Sequence, residues 1–176
     1  MDVSDLLTET YDRLPDLVRA AVDGLSPEQL HRAPGEGANT IGWLVWHLTR
    51  VQDHHVADLL DTEQIWVSGD WAGRFGLKAD PDDTGYGHSA AQVEAVRPES
   101  AQALVDYYEA VASRTGAFLA GLHPADLDRV VDESWDPPVT LGVRLVSIAD
   151  DDLQHVGQAA YVRGLIEAEA PANSGR

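Results

Sequence analysis

The stretch that decides the fold is residues 40–60, which read TIGWLVWHLTRVQDHHVADLL. Apolar side chains recur in it at intervals of three and four residues, which is the spacing of one face of an α-helix. Thr40 can cap this helix, because its side-chain oxygen can accept a hydrogen bond from an N–H group of the first turn. The stretch therefore predicts a long amphipathic helix.

Three other stretches carry the same periodicity, over residues 3–21, 100–122 and 140–167. Pro15 lies inside the first of them and should bend or divide it. No stretch alternates as a convincing β-strand. We expect an all-α four-helix bundle as a single domain over residues 1–167, with a flexible tail at 168–176.

A faint internal repeat supports pairing these helices. Residues 24–32 read GLSPEQLHR and residues 121–129 read GLHPADLDR, and each copy follows an odd-numbered helix. Each copy is also followed by a loop and then by Thr-apolar-Gly, at 40–42 and at 140–142. Two interpretations stay open: a pair of repeated helical hairpins, or two ordinary turns of similar composition.

Helices 2 and 3 are joined by a long connection, residues 61–99, which is rich in Gly, Asp and Trp. Loops of that length are uncommon in a compact domain unless they cross the bundle or cover a functional site. We expect this connection to do one of the two.

The composition excludes several classes of partner. The formal net charge is −18, with a pI near 4.4, so the surface repels nucleic acid and anionic membranes. No apolar run is long enough to span a bilayer, and the N-terminus lacks the pattern of a signal peptide, which predicts a cytoplasmic protein. There is no cysteine, so any thiol chemistry requires a thiol that comes from outside the chain.

Asp151 and His155 are the sharpest local signal of chemistry. A spacing of four residues places both side chains on one side of a helix, one turn apart, where they can hold one ion. The alternative is that residues 150–152, three aspartates in a row, form a solvated acidic face.

His47 is the third candidate ligand, at the flank of the apolar face of the second helix. A lone histidine there can equally be a packed core residue. His54 competes with it as a ligand, because it has a similar angular position two turns later. We interpret His55 as a packing residue.

The three candidates are stronger together than separately. A histidine from one helix and an Asp-x-x-x-His pair from a facing helix would meet inside a bundle, which is a recurrent place for metal sites. Three protein ligands also leave a position open for water or substrate, as in catalytic rather than structural zinc sites.

At this point the chain resembles the DinB-like superfamily, in particular its mycothiol-dependent branch. Residues 41–48 (IGWLVWHL) and 151–161 (DDLQHVGQAAY) carry the likeness. The segments 71–77, 83–88 and 134–140 resemble the same subgroup, so the likeness covers most of the chain.

The resemblance implies one divalent metal ion, usually zinc, on His47, Asp151 and His155. Many relatives have His or Glu where this chain has Asp151. Resemblance to this branch implies a thiol S-transferase that joins mycothiol, or a related low-molecular-weight thiol, to electrophiles. Such an enzyme would serve detoxification in the cytoplasm of an actinobacterium. A composition with one lysine and eleven arginines agrees with such a host.

Four further residues are candidate substrate-binding residues: Arg163, Tyr86, His88 and Trp46. The alternatives are a salt-bridged surface arginine and aromatic side chains that fasten loops to the core. Two other functions stay open, a metal-dependent hydrolase on the same triad and a non-catalytic stress-response bundle. The sequence leaves the oligomeric state open, with a homodimer as one alternative.

Overall fold

The elements of the fold begin and end close to the breaks in the sequence pattern. A computed structural model of the chain describes residues 3–169, with side chains for residues 5–169. The helices are α1 (Val3–Tyr11), α2 (Leu14–Val22), α3 (Pro27–Leu30), α4 (Ile41–Leu60), α5 (Ile65–Ser68), α6 (Trp71–Arg74), α7 (Ala90–Ala95), α8 (Ala101–Ala120) and α9 (Leu141–Glu169). A 3-10 turn spans Pro124–Asp128, and two strands are β1 (Val130–Asp132) and β2 (Val139–Thr140).

Four long segments pack as the predicted helical bundle. Three of them are α4, α8 and α9, and α1 with α2 makes the fourth. The apolar faces meet in one core, whose fully buried members include Leu14, Val18, Leu44, Leu48, Leu104, Val111, Leu145 and Ile148. The predicted all-α fold class is confirmed.

The first predicted helix is divided in two, but the break lies before the proline. α1 ends at Tyr11 and α2 begins at Leu14, so Pro15 occupies the first turn of α2. A proline there removes no helical hydrogen bond, because the N–H groups of a first turn have no partner inside the helix. Pro15 therefore starts the second helix rather than ending the first.

The expectation that no sheet forms is corrected by a small hairpin. β1 pairs with β2 in an antiparallel arrangement, with Val130 opposite Thr140 and Asp132 opposite Val139. Their β-branched side chains suit a strand. Two or three residues are too few to show an alternating pattern, which explains why the sequence analysis did not detect the hairpin.

The connection of residues 61–99 lies along α4 and carries α5, α6 and α7. Its junction with α4 is made by Asp53, whose buried carboxylate accepts hydrogen bonds from the backbone N–H groups of Ile65 and Trp66. Trp66 then packs against Phe75 and Tyr107. The connection thus packs on α4 and α8.

The C-terminal helix runs through Glu169, two residues into the predicted tail. Residues 170–176, where the rest of that tail was predicted, lie outside the described residues. Within residues 3–169, no helix combines the length and the apolar character needed to cross a membrane.

Candidate metal centre

α4 and α9 lie side by side and supply every predicted metal ligand. The Thr40 hydroxyl caps α4 by accepting from the backbone N–H of Trp43, 3.1 Å away. The ring of His47 lies beside that of His155, whereas His55, two turns further along α4, interacts with Asp151 and Arg144 on the earlier turns of α9. The two helices therefore run antiparallel.

His47, Asp151 and His155 converge across this interface. Each offers one ligand atom, and these three atoms lie within 4.8 Å of one another. A tetrahedral zinc ion with bonds of about 2.0–2.2 Å needs its ligands about 3.4 Å apart, so small side-chain movements would suffice. Among the described residues, this is the only group of three potential ligands that meets in this way.

The ring of His47 is held in one orientation and one tautomer. Its Nδ1 lies 2.5 Å from the carbonyl oxygen of Thr84. A carbonyl can only accept, so Nδ1 carries the proton and Nε2 keeps the lone pair that a metal requires. The indole of Trp43 stacks on the ring at 4.6 Å between centroids. Burial lowers the pKa of His47, which keeps the imidazole neutral and able to bind an ion.

His155 is oriented in a similar way from its own helix. Its Nδ1–H donates to the Gln158 side-chain oxygen at 2.9 Å, and its Nε2 lies 3.5 Å from the Asp151 carboxylate. The hydrogen bond with Asp151 raises the pKa of His155. The other Asp151 oxygen is buried and has no hydrogen-bond partner among the described residues. An unpartnered buried carboxylate oxygen beside two imidazoles fits a cation.

The acidic run of residues 150–152 points in three directions. Asp150 is exposed and accepts from Gln154, while Asp151 faces the triad. Asp152 is completely buried, and burial raises its pKa well above the ordinary value. Only Asp150 therefore belongs to the solvated face that the sequence allowed as an alternative.

The segment 80–88 closes the site above His47. Gly85 has φ +90°, and a Cβ built on it would lie 2.8 Å from His47 Nδ1 and 2.9 Å from the Trp46 ring. Only a glycine can bring the backbone this close in that conformation. Residues 83–88 carry part of the family resemblance, but the role of the Thr84 carbonyl could not be predicted, because a backbone carbonyl leaves no signature in the residue pattern.

A cavity of about 340 Å³ opens beside the triad. Its lining residues are His47, Val51, His54, His55, Asp82, Thr84, Tyr86, Ser147 and Asp151. Tyr86 stands at the rim with 94% of its surface exposed. Two cavities of about 360 and 490 Å³ lie elsewhere on the chain, but neither is lined by any triad residue. The cavity beside the triad is thus the relevant one for chemistry.

The structure separates the two neighbouring histidines from the triad. The side chain of Gln64 donates to His54 Nδ1 at 3.1 Å, and His47 rather than His54 lies beside His155. His55 was interpreted as a packing residue, but it is half-buried and lines the cavity. Burial, and to a smaller extent the positive charge of Arg144, lower the pKa of His55 to about 4. It is therefore a neutral hydrogen-bonding group facing the cavity.

Three of the four candidate substrate-binding residues are occupied elsewhere. Trp46 is fully buried between His88 and Trp66, which leaves no face for a substrate. The His88 ring accepts from the Trp43 indole through Nδ1 and donates to Asp83 through Nε2, so both nitrogens serve the loop.

Arg163 is the third of these residues. It donates to Glu167 on its own helix and to the carbonyls of Ala20 and Asp23 at the end of α2. This arrangement matches the salt-bridged alternative. Among the four candidates, Tyr86 is the one that lines the cavity.

The comparisons with known proteins agree with this architecture. The family model described as the DinB superfamily matches residues 10–159. The chain is similar to a solved structure described as the crystal structure of the conserved protein of locus from Enterococcus faecalis, with a TM-score of 0.87 and 30% sequence identity. That likeness covers 96% of this chain and 99% of the other. No curated protein matches the chain. Matched over most of its length, the chain belongs to the DinB superfamily.

Proposed function

We propose that this protein is a zinc-dependent S-transferase that joins a low-molecular-weight thiol, mycothiol or a close relative, to an electrophilic substrate. The observation that carries the proposal is the three-ligand group His47, Asp151 and His155 at the wall of a cavity. Three protein ligands leave a coordination position for an exogenous group, and a cavity gives that group access.

A bound divalent ion would supply one thing, a lowered pKa for the incoming thiol, so that the thiolate persists near neutral pH. The protein's own residues determine the rest. His47 is held neutral with its Nδ1–H engaged, and the Asp151 carboxylate offsets part of the ion's charge. The thiolate sulfur would form a bond to the electrophilic carbon while the bond from that carbon to its leaving group breaks. The leaving group would depart with that electron pair, and the thiol proton would be released to solvent.

The charge of the cavity favours an uncharged thiol. With the charge of Asp151 set against that of a bound ion, Asp82 is the remaining carboxylate in the wall, and the chain as a whole carries a net charge of −18. Carboxylate-bearing thiols such as glutathione would be repelled by this wall. A neutral, hydroxyl-rich sugar thiol such as mycothiol can instead hydrogen-bond to the side chains of His55, Ser147 and Tyr86, which also line the cavity.

A metal-dependent hydrolase is the second candidate, and one observation bears on it. A hydrolase needs a general base near the metal-bound water, and His55 is a neutral imidazole in the same cavity. A general base works best when its pKa lies near the working pH. Burial lowers the pKa of His55 to about 4, so His55 is neutral at pH 7 and only a weak base there.

Thiol binding to the zinc-loaded protein tests the proposal. Calorimetric titration with mycothiol should release about one proton per thiol bound, because the ligand is the thiolate. Glutathione and bacillithiol should bind more weakly, and conjugation of a test electrophile should require added thiol and disappear with a chelator. If no thiol binds at millimolar concentration while the protein hydrolyses a test ester or amide, the hydrolase alternative replaces the transferase.

A further inference from the structure

One face of α4 is fastened to a single segment of the long connection. Trp43, His47, Arg50 and His54 follow one another at intervals of three or four residues, so they lie on one side of the helix. We call residues 80–88 the strap, because all four side chains are connected to it. Trp43 contacts His88, His47 contacts Thr84 and Arg50 contacts three backbone carbonyls of the strap. His54 is connected indirectly, by Gln64, which hydrogen-bonds to both His54 and Pro81.

Arg50 makes the most contacts with the strap. Its Nε donates to the carbonyl of Asp83 at 3.0 Å, and its Nη2 donates to the carbonyls of Pro81 at 3.0 Å and Asp80 at 3.5 Å. The side chain is 0% exposed. Burying a guanidinium is costly unless its charge and its donors are satisfied, so the position of these three carbonyls is tightly coupled to Arg50.

The charge of Arg50 is balanced inside the bundle. The Asp53 carboxylate lies 3.5 Å from Nη1, and both side chains are fully buried. Tyr107 donates to the same carboxylate at 2.9 Å and accepts from Arg50 Nη1 at 3.4 Å. Asp53 itself is fixed by the N–H groups that it caps at the start of α5. Asp53 and Tyr107 therefore fix the guanidinium on the side of the bundle core, while its Nε and Nη2 donate to the strap.

The strap carries this rigidity to the metal centre within one residue. Asp83, whose carbonyl Arg50 holds, precedes Thr84, whose carbonyl fixes His47 Nδ1. On the other side of Thr84, the Asp83 carboxylate accepts from the backbone N–H of Gly85 and from His88 Nε2. The Thr84 carbonyl thus has little freedom to move away from His47.

We infer that Arg50 is a positioning residue of the metal centre: through the strap carbonyls it fixes the Thr84 carbonyl, which sets the tautomer and the direction of His47. This inference rests on the metal centre proposed above. Arg50 touches neither the ion nor the substrate. Its role requires the planar fork of a guanidinium, because a lysine ammonium can replace the charge but not the fixed pattern of donors.

The test compares three variants of the full chain: Arg50→Met, Arg50→Lys and the control Arg114→Met. Arg114 also lies near Asp53, at 3.8 Å, but its hydrogen bond goes to the carbonyl of Glu63 and not to the strap. Zinc affinity is measured by competition with a chromophoric chelator. The tautomer of His47 is read from ¹⁵N–¹H correlations of the imidazole in metal-free protein.

We expect Arg50→Met to bind zinc about 10- to 100-fold more weakly, as for other outer-sphere partners of ligating histidines. Its His47 ring should lose the pure Nδ1–H tautomer. Arg50→Lys should fall between Arg50→Met and the parent, and Arg114→Met should match the parent in both measurements. A folded Arg50→Met with parental zinc affinity and an unchanged His47 tautomer would overturn the inference.

Two further outcomes are possible, failure of Arg50→Met to fold and absence of zinc binding by the parent protein. If Arg50→Met does not fold, because Asp53 is left buried without its partner, Arg50→Lys decides, and parental affinity with an unchanged His47 tautomer in that variant overturns the inference. If the parent protein binds no zinc, the proposed function fails. The tautomer measurement then still tests the positioning of His47 by Arg50, because it is made without metal.

Discussion

α4 and α9, the two helices that supply the triad, begin in the same way. Each starts after a threonine, Thr40 or Thr140, whose hydroxyl accepts from the backbone N–H three residues later. Each is preceded by a short turn, one at Pro27–Leu30 and one at Pro124–Asp128, and in both the residue before the turn donates its backbone N–H to the side chain three residues later. This shared local structure favours the repeated-hairpin interpretation of the sequence over a chance likeness of two turns.

The glycine after each threonine makes an equivalent contact. A Cβ on Gly42 would lie 3.1 Å from the carbonyl oxygen of Leu30, and a Cβ on Gly142 would lie 3.3 Å from that of Leu127. Leu30 and Leu127 are the same position of the sequence repeat. In both halves, therefore, the glycine allows the helix start to pack closely on the preceding turn.

If α4 and α9 are aligned at Thr40 and Thr140, equivalent residues differ by 100 in number. Residues at one end of the cavity then have their equivalents at the other end. His155 corresponds to His55, His47 to Ser147 and Asp151 to Val51. All of these residues line the cavity or belong to the triad. One end of the interface has a complete ligand set, whereas the equivalent end keeps only the histidine.

The two helices also differ in what covers them. The strap lies on α4 and holds His47, whereas Ser147 donates its hydroxyl back to the Val143 carbonyl of its own helix. The outer face of α9 stays exposed at Val143, Val146 and Leu153. The comparison teaches that two helices with the same local start differ in their side chains and their cover: the candidate ligand set is complete at one end only, and there a loop from outside the repeat orients one of the candidate ligands.

The largest expected difference between the two ends comes from replacing the equivalent residues His155 and His55 one at a time. His155→Ala should weaken zinc binding by more than about 100-fold, beyond the effect of losing an outer-sphere partner. The control His55→Ala should bind zinc within about twofold of the parent. Both should keep the parental circular dichroism, because apolar side chains form the core. Unfolding of His155→Ala would instead mean that the metal centre is structural.

A smaller effect is expected from disturbing the strap without touching α4. Gly85→Ala places a methyl group 2.8 Å from His47 Nδ1, in a backbone conformation that alanine resists. Zinc affinity should fall about 10- to 100-fold. Gly87→Ala is a matched control, because its φ is also positive but nothing lies within 4 Å of its Cβ. Equal losses in the two variants would show that backbone strain, not the contact with His47, is responsible.

The smallest expected effect is on the pH dependence of stability, in which His55 and His155 should differ. The pKa of His55 in the folded protein, about 4, lies below its unfolded value near 6.5. The unfolded state therefore binds the proton first, and His55 lowers the free energy of unfolding as pH falls from 6.5 to 4. We expect about 1–2 kcal/mol, since solvent in the open cavity screens part of the effect.

His155 should behave in the opposite way in metal-free protein. Asp151 raises the pKa of His155 in the folded state, so its contribution to stability is fully present below about pH 6.5 and is lost as pH rises through the folded pKa. Urea unfolding of the parent, His55→Gln and His155→Gln between pH 4 and 8 gives both differences. Slopes of the same sign for the two variants would contradict this assignment.

Much of the fold and part of the site were predictable because the signals are local. The helix bounds follow from apolar periodicity and from the predicted cap at Thr40, which the structure confirms. Asp151 and His155 could be paired from sequence because a spacing of four in one helix fixes their relative position. Their partner His47 required a second helix to be placed correctly, and only the family resemblance selected it over His54.

Other parts of the site could not be read from the pattern. His55 has the periodicity of a core residue, and only the packing of α9 shows that it faces a cavity. Trp46 has the chemistry of a sugar-binding residue, but the connection of residues 61–99 folds over it and buries it completely. Periodicity gives the direction of a side chain around its own helix, and it does not say what will be packed against it.

The sequence by itself determined the four helical segments, the cap of α4, the negative net charge and the lack of a thiol in the chain, because each depends on residue type and short-range spacing. The tertiary structure alone decided where the cavity opens and how the rings of the candidate ligands are held, and it places His47 rather than His54 beside His155. His47 is fixed by the carbonyl of Thr84, and Arg50 holds that carbonyl's neighbours. Backbone carbonyls are the same in every residue, so only the folded chain can show which one faces which side chain.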